Sequence, residues 1–116
     1  MILLDTHIVV HWLTGSKRLS LSQSRAIQKA ETLGEPIRIS GKLDTRLSPP
    51  ELLPSLELPP FRLVPLTADA VLELRALRVL KDPFDRVIAA TARVHGLRLV
   101  TSDQRIIESN LVSTIE

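Results

Sequence analysis

A short, unbroken apolar run opens the chain: Ile2, Leu3 and Leu4, closed by Asp5. No polar residue alternates through it, so it predicts a strand buried on both faces, as in a parallel sheet packed between helices. Residues 6–13 predict a helix directly after that strand. Ser20 and Gln23 have the spacing of a capping box. Ala26, Ile27, Ala30 and Leu33 then share one helical face, and Gly34 ends the helix. Ile37-Arg38-Ile39-Ser40 alternates and predicts a second strand.

The pattern breaks over residues 41–60. Gly41, Pro49, Pro50, Pro54, Pro59 and Pro60 leave room for at most a single turn of helix around 51–53. Residues 62–66 predict a third strand, which Pro65 places at a sheet edge or a strand end. Thr67 is the expected N-cap of a helix that turns Ala70, Val71, Leu74 and Leu77 inward. Asp82-Pro83 is a second helix start, because proline at the first helical position lacks only an N–H that would go unpaired anyway. That helix is expected to run to Val94 or His95 and to stop at Gly96. Strands are expected at 97–101 and 111–115. Strands alternating with helices predict one α/β domain over residues 1–116: a parallel sheet of four to five strands flanked by helices on both faces, with an atypical Pro-rich segment at 41–60. In such sheets function gathers at the carboxyl ends of the strands. Asp5 and Asp103 both stand there.

Composition narrows the chemistry. Apolar residues make up 44% and charged residues 24% of 116 residues, the balance of a globular domain with a real core. The chain has no cysteine, which removes disulfides, thiolate metal sites and thiol nucleophiles, and fits a cytoplasmic protein. Asp5 and His7 interrupt the first apolar run and no basic stretch precedes it, which argues against a secretory signal peptide. No segment approaches the ~20 apolar residues that span a bilayer, so no membrane is expected. A formal charge of +2 is compatible with a phosphate backbone as partner without requiring one.

The chemistry is carried by acids. Asp5 ends the first strand, Asp103 follows the strand around 97–101, and Asp85 lies in the first turn of the helix after Asp82-Pro83. Gathered together, three carboxylates repel one another, and hard divalent cations such as Mg²⁺ or Mn²⁺ relieve that repulsion. Each also has a structural explanation: Asp5 as a helix N-cap, Asp85 as an acid favoured by the helix dipole, Asp103 as a turn residue. For Asp82 capping is sufficient. His7 and His11 are spaced four apart, but no third ligand is placed to make a zinc site with them. Thr6 and Ser102 are candidate partners for a phosphate or for the waters of a metal, or plain capping hydroxyls. Arg86 is read as a phosphate ligand or as the partner of a neighbouring Asp. Lys81, Arg93, Arg98 and Arg105 are a candidate basic rim for RNA. Trp12 is expected in the core.

Met1-Ile2-Leu3-Leu4-Asp5-Thr6-His7, Asp82-Pro83-Phe84-Asp85-Arg86-Val87-Ile88-Ala89-Ala90-Thr91-Ala92 and Leu99-Val100-Thr101-Ser102-Asp103 together resemble the PIN domain, and more narrowly the VapC-type toxins of bacterial toxin–antitoxin pairs. The matching stretches stand in the family's order and span the chain apart from residues 41–60. The resemblance implies a metal-dependent endoribonuclease acting on RNA of the tRNA or rRNA class, inhibited by a cognate antitoxin, with Asp5, Asp85 and Asp103 as catalytic and metal-binding acids. Thr6, Arg86 and Ser102 become the substrate-binding candidates, Mg²⁺ or Mn²⁺ the cofactor. Family members usually carry a further acid on a helix after the second strand. Here Ser40 runs into Gly41-Lys42-Leu43-Asp44 with no counterpart of that helix. The departure raises an alternative: a shortened, catalytically impaired protein acting mainly by binding an antitoxin or other partner. It also leaves apolar surface uncovered, so a homodimer is expected. No DNA contact is expected of the chain by itself.

Overall fold

A computed structural model describes residues 1–40 and 61–116. Five strands, β1 (Ile2–Leu4), β2 (Ile37–Ser40), β3 (Phe61–Val64), β4 (Arg98–Val100) and β5 (Thr114–Ile115), form one sheet in the order β3-β2-β1-β4-β5. Every neighbouring pair is parallel. The helices are α1 (Thr6–Leu13), α2 (Leu21–Thr32), α3 (Ala68–Glu73, continued by a 3₁₀ turn over Leu74–Leu77), α4 (Pro83–His95) and α5 (Gln104–Ser109).

The first strand shows why a three-residue apolar run suffices. Leu3 points to one face, into a cluster with Ala70, Leu77, Ile88, Ala89, Leu99 and Ile106. Ile2 and Leu4 point to the other, into a cluster with Ile8, Val9, Ile27, Ile37, Ile39 and Val100. Strand alternation therefore divides a continuous hydrophobic run between two cores. Helices α1 and α2 cover one face, and α3, α4 and α5 the other. Trp12 packs against the second cluster, as expected of a core aromatic. No helix among the described residues is long and apolar enough to cross a membrane.

Local signals set the helix ends. The Ser20 hydroxyl accepts from the Gln23 amide at 3.1 Å, and Gln23 Oε1 accepts from the Ser20 amide at 3.0 Å, completing the capping box. Asp82 Oδ1 accepts from the Phe84 amide at 2.8 Å ahead of Pro83. Gly96 closes α4 at φ 63°, a left-handed conformation that a side chain disfavours. Strand β3 lies at the sheet edge and stops before Pro65, which could not donate to the ladder.

Three expectations need correction. Leu33 is exposed because α2 ends at Thr32 and Leu33 is already its C-cap. Val71 is exposed as well: the inward stripe follows Ala70, Leu74 and Leu77 as the helix tightens to 3₁₀. The fifth strand is only Thr114–Ile115, and α5, capped by Asp103, stands before it where no helix was expected. The Pro-rich segment 41–60, with the expected absence of a helix there, lies outside the described residues.

Candidate active site

The carboxyl ends of β1 and β4 lie side by side. Leu4 pairs with Val100, and the Asp5 amide donates to the Val100 carbonyl at 3.0 Å. Asp5 occupies the N-cap position of α1, yet its side chain makes no cap bond. Its Oδ2 instead accepts from the Thr101 hydroxyl at 2.7 Å. The same Thr101 Oγ1 accepts from the Asp103 amide at 3.1 Å, which orients the turn leading into α5. Asp103 caps α5 through Oδ1, which accepts from the Arg105 amide at 2.9 Å.

Charge is concentrated here. Asp5 is 8% exposed, and burial raises its carboxyl pKa. The Thr101 hydroxyl, the positive field of His7 and the Thr6 amide act in the opposite direction, while the charge of Asp103 adds to the rise. Asp85 is pushed up to about 7, first by desolvation and then by the charges of Asp103, Asp82 and Asp5. Arg105 opposes that shift. The three acids singled out in the sequence therefore act on one another's charge, although each comes from a different part of the chain, and Asp5 and Asp103 share a cleft that Asp85 does not line.

A cleft of about 400 Å³ opens at this end of the sheet, lined by Asp5, His7, Ile8, His11, Arg18, Ser102, Asp103 and Arg105. Of the expected basic rim, only Arg105 lines it, joined by Arg18, which the sequence reading did not single out. Arg98 begins β4 and so stands at the opposite edge of the sheet, where it shares a separate depression with Arg93. Arg93 is occupied in turn by Glu73, at 2.9 Å, and by the Leu111 carbonyl, at 3.0 Å. Arg86 donates through Nε to the Leu80 carbonyl and through Nη2 to the Lys81 carbonyl, so its fork holds the turn before α4. Thr6 is buried and does not line the cleft, and Ser102 is exposed at it. His7 and His11 share the cleft, whereas His95 closes α4 at its far end.

The donor set fits a hard divalent cation. Its atoms are carboxylate oxygens, and two of the three acids are held toward the protonated state by burial and mutual repulsion, a state that a cation reverses. Among the described residues no three Asp, Glu or His side chains are grouped closely enough to hold one ion together. Magnesium keeps several waters and needs only one or two carboxylates directly.

Besides Arg18, two contributors escaped the sequence reading. Thr101 carries a readable signal: a buried hydroxyl closing an apolar strand must find a partner. Gln23 is 1% exposed, and its Nε2 donates to the Thr101 carbonyl at 3.2 Å and to Ser102 Oγ at 2.8 Å. Nothing local announces that second role.

The PIN domain family model matches residues 2–109. The chain belongs to the PIN domain family. It is 34% identical over 115 residues to Ribonuclease VapC22 of Mycobacterium tuberculosis, with 90% of this chain and 88% of that protein covered. The PIN fold is equally evident in solved structures. A chain of the crystal structure of VapBC2 from Rickettsia felis bound to a DNA fragment from their promoter superposes with a TM-score of 0.70 at 19% identity, covering 98% of this chain and 97% of that one. A chain of the crystal structure of FitAcB from Neisseria gonorrhoeae gives a TM-score of 0.68 at 22% identity, covering 100% and 97%. These likenesses confirm the parallel PIN-like sheet read from the sequence.

Proposed function

We propose that this PIN-domain protein is a divalent-metal-dependent endoribonuclease, the toxin of a toxin–antitoxin pair acting in the cytoplasm. The observation that carries the reading is the pair Asp5 and Asp103, which line one cleft at the carboxyl ends of β1 and β4 and are joined through Thr101, with Asp85 near enough for their charges to raise its pKa. Resemblance to a VapC ribonuclease along nearly the whole chain supports the substrate class.

One or two of Asp5, Asp85 and Asp103 would ligate Mg²⁺ or Mn²⁺ directly, and the remaining acid would act through the ion's waters. When bound, such an ion supplies an activated water and offsets the charge that develops on a scissile phosphate. The protein's own part is orientation and electrostatics. Thr101 fixes Asp5 Oδ2 toward β4 and, through the Asp103 amide, ties the two acids into one unit. Arg18 and Arg105 line the cleft and draw in a phosphate backbone by counterion release. Ser102 offers a hydroxyl at the cleft surface, and the Thr6 backbone amide favours the charged form of Asp5. Arg86 supports the α4 end of the site through the turn it holds.

A second reading keeps the fold and the antitoxin and gives up cutting. It is favoured by the absence, among the described residues, of three grouped ligands. Under either reading an antitoxin is the expected partner, and solved complexes of FitAB and VapBC type share the fold. Self-association remains part of the proposal, and Leu72 and Val79 are exposed apolar side chains that a second copy could cover.

The test is cleavage of total RNA by the purified protein with Mn²⁺. Cleavage abolished by a chelator and by Asp5→Asn supports the nuclease. Folded, antitoxin-binding protein that leaves RNA intact supports the second reading.

A further inference from the structure

We propose that Gln23, on a helix that contributes no acid to the site, is a positioning residue for the proposed active centre. The inference rests on the nuclease reading of that centre. Gln23 has two jobs at the two ends of one side-chain amide. Oε1 accepts from the Ser20 amide and closes the capping box, which is a local task. Nε2 spends both hydrogens elsewhere, on the Thr101 carbonyl at 3.2 Å and Ser102 Oγ at 2.8 Å, across 78 and 79 residues of chain.

That second contact is placed where it matters. Thr101 is fully buried, and its hydroxyl is the one that holds Asp5 Oδ2 and receives the Asp103 amide. Its amide donates to the Ile115 carbonyl at 3.2 Å on β5. Gln23 therefore takes the other backbone polar group of the same residue, on the far side of its Cα. With the carbonyl clamped by Gln23 and the amide by β5, the Thr101 side chain has a fixed origin, and both acids it touches inherit that origin. A side chain used only for capping would not need to be 1% exposed. In a capping box either Glu or Gln serves at the third helical position. Here Glu could reproduce the cap but not the two donors.

The difference between those two residues provides the experiment. Gln23→Glu keeps the acceptor facing the Ser20 amide and removes both donors from the turn. Ser20→Ala removes a cap contact and leaves the donors in place. Gln23→Met has similar length and no charge, and serves where a buried carboxylate prevents folding. Hydrogen exchange of the Asp103 amide reports the turn without any catalytic assumption. We expect exchange at Asp103 to accelerate about tenfold in Gln23→Glu and Gln23→Met and to stay near wild type in Ser20→Ala. In RNA cleavage with Mn²⁺, kcat should fall about tenfold or more in the Gln23 variants, with KM little changed, because misplaced groups cost rate rather than substrate affinity. Unchanged exchange and unchanged kcat in a folded Gln23→Met overturn the positioning role and leave the nuclease reading standing. A wild-type protein inert toward RNA sinks the nuclease reading and, with it, any catalytic meaning for Gln23, while the exchange contrast still decides whether the tether exists.

Discussion

The Thr101 hydroxyl donates to Asp5 Oδ2 at 2.7 Å, and this bond joins residues 96 positions apart at the carboxyl ends of two neighbouring parallel strands. It diverts Asp5 from the helix cap that its position invites, and it gives a buried carboxylate its strongest internal partner. Burial acts against that carboxylate, and Thr101 is the largest of the forces that oppose the penalty.

Thr101→Val tests the bond with almost no change of shape. Its loss leaves Asp5 buried without the hydroxyl, and we expect a stability loss of about 1–3 kcal/mol at neutral pH. Thr101→Ser should recover most of it. Denaturant unfolding of the three proteins measures both effects.

The pH dependence of the metal-free protein follows from the direction of the Asp85 shift. Its folded value of about 7 lies above the ordinary 3.8, so between those values the native state holds more protons than the unfolded chain. Stability must then fall as pH rises through that window and level off above it. Asp5, also raised, adds to the same slope. Thermal melts from pH 4 to 8 should show the decline, and Asp85→Asn should flatten it.

Added Mn²⁺ should reverse that trend. Protons and the cation compete for the same oxygens, so the stabilisation it gives should grow from pH 6 to pH 8. The shift of melting temperature with Mn²⁺ at each pH is the measurement, and a shift independent of pH would count against binding at Asp85.

Gly96→Ala probes the scaffold apart from the site. No atom lies within 4 Å of the place a Cβ would occupy, so crowding adds nothing. Only the φ of +63° remains, and its strain should cost about 1–2 kcal/mol with RNA cleavage unaffected at permissive temperature.

What was legible in the sequence shares one property: the signal and its consequence lie within a few residues. The apolar run of β1, the capping box of Ser20 and Gln23, the Asp82-Pro83 start and the Gly96 stop are all of this kind, and the structure shows each. The acids were legible too, since each follows a strand or opens a helix. Long-range pairing was not. Nothing near Asp5 says that it will abandon its cap for Thr101, and nothing near Gln23 names a carbonyl 78 residues away. The same blindness grouped Arg93 and Arg98 with Arg105, although a strand of only three residues, Arg98–Val100, separates the two ends of the sheet and sends Arg98 to the wrong one.

Calorimetric titration of Mn²⁺ into the wild-type protein and into Asp103→Asn at pH 8 goes to the centre of the account, because it asks whether the converging carboxylates bind a cation at all. Saturable binding by the wild type, weakened at least about tenfold by the substitution, is the predicted result. Absence of binding, or equal binding by both proteins, would contradict it.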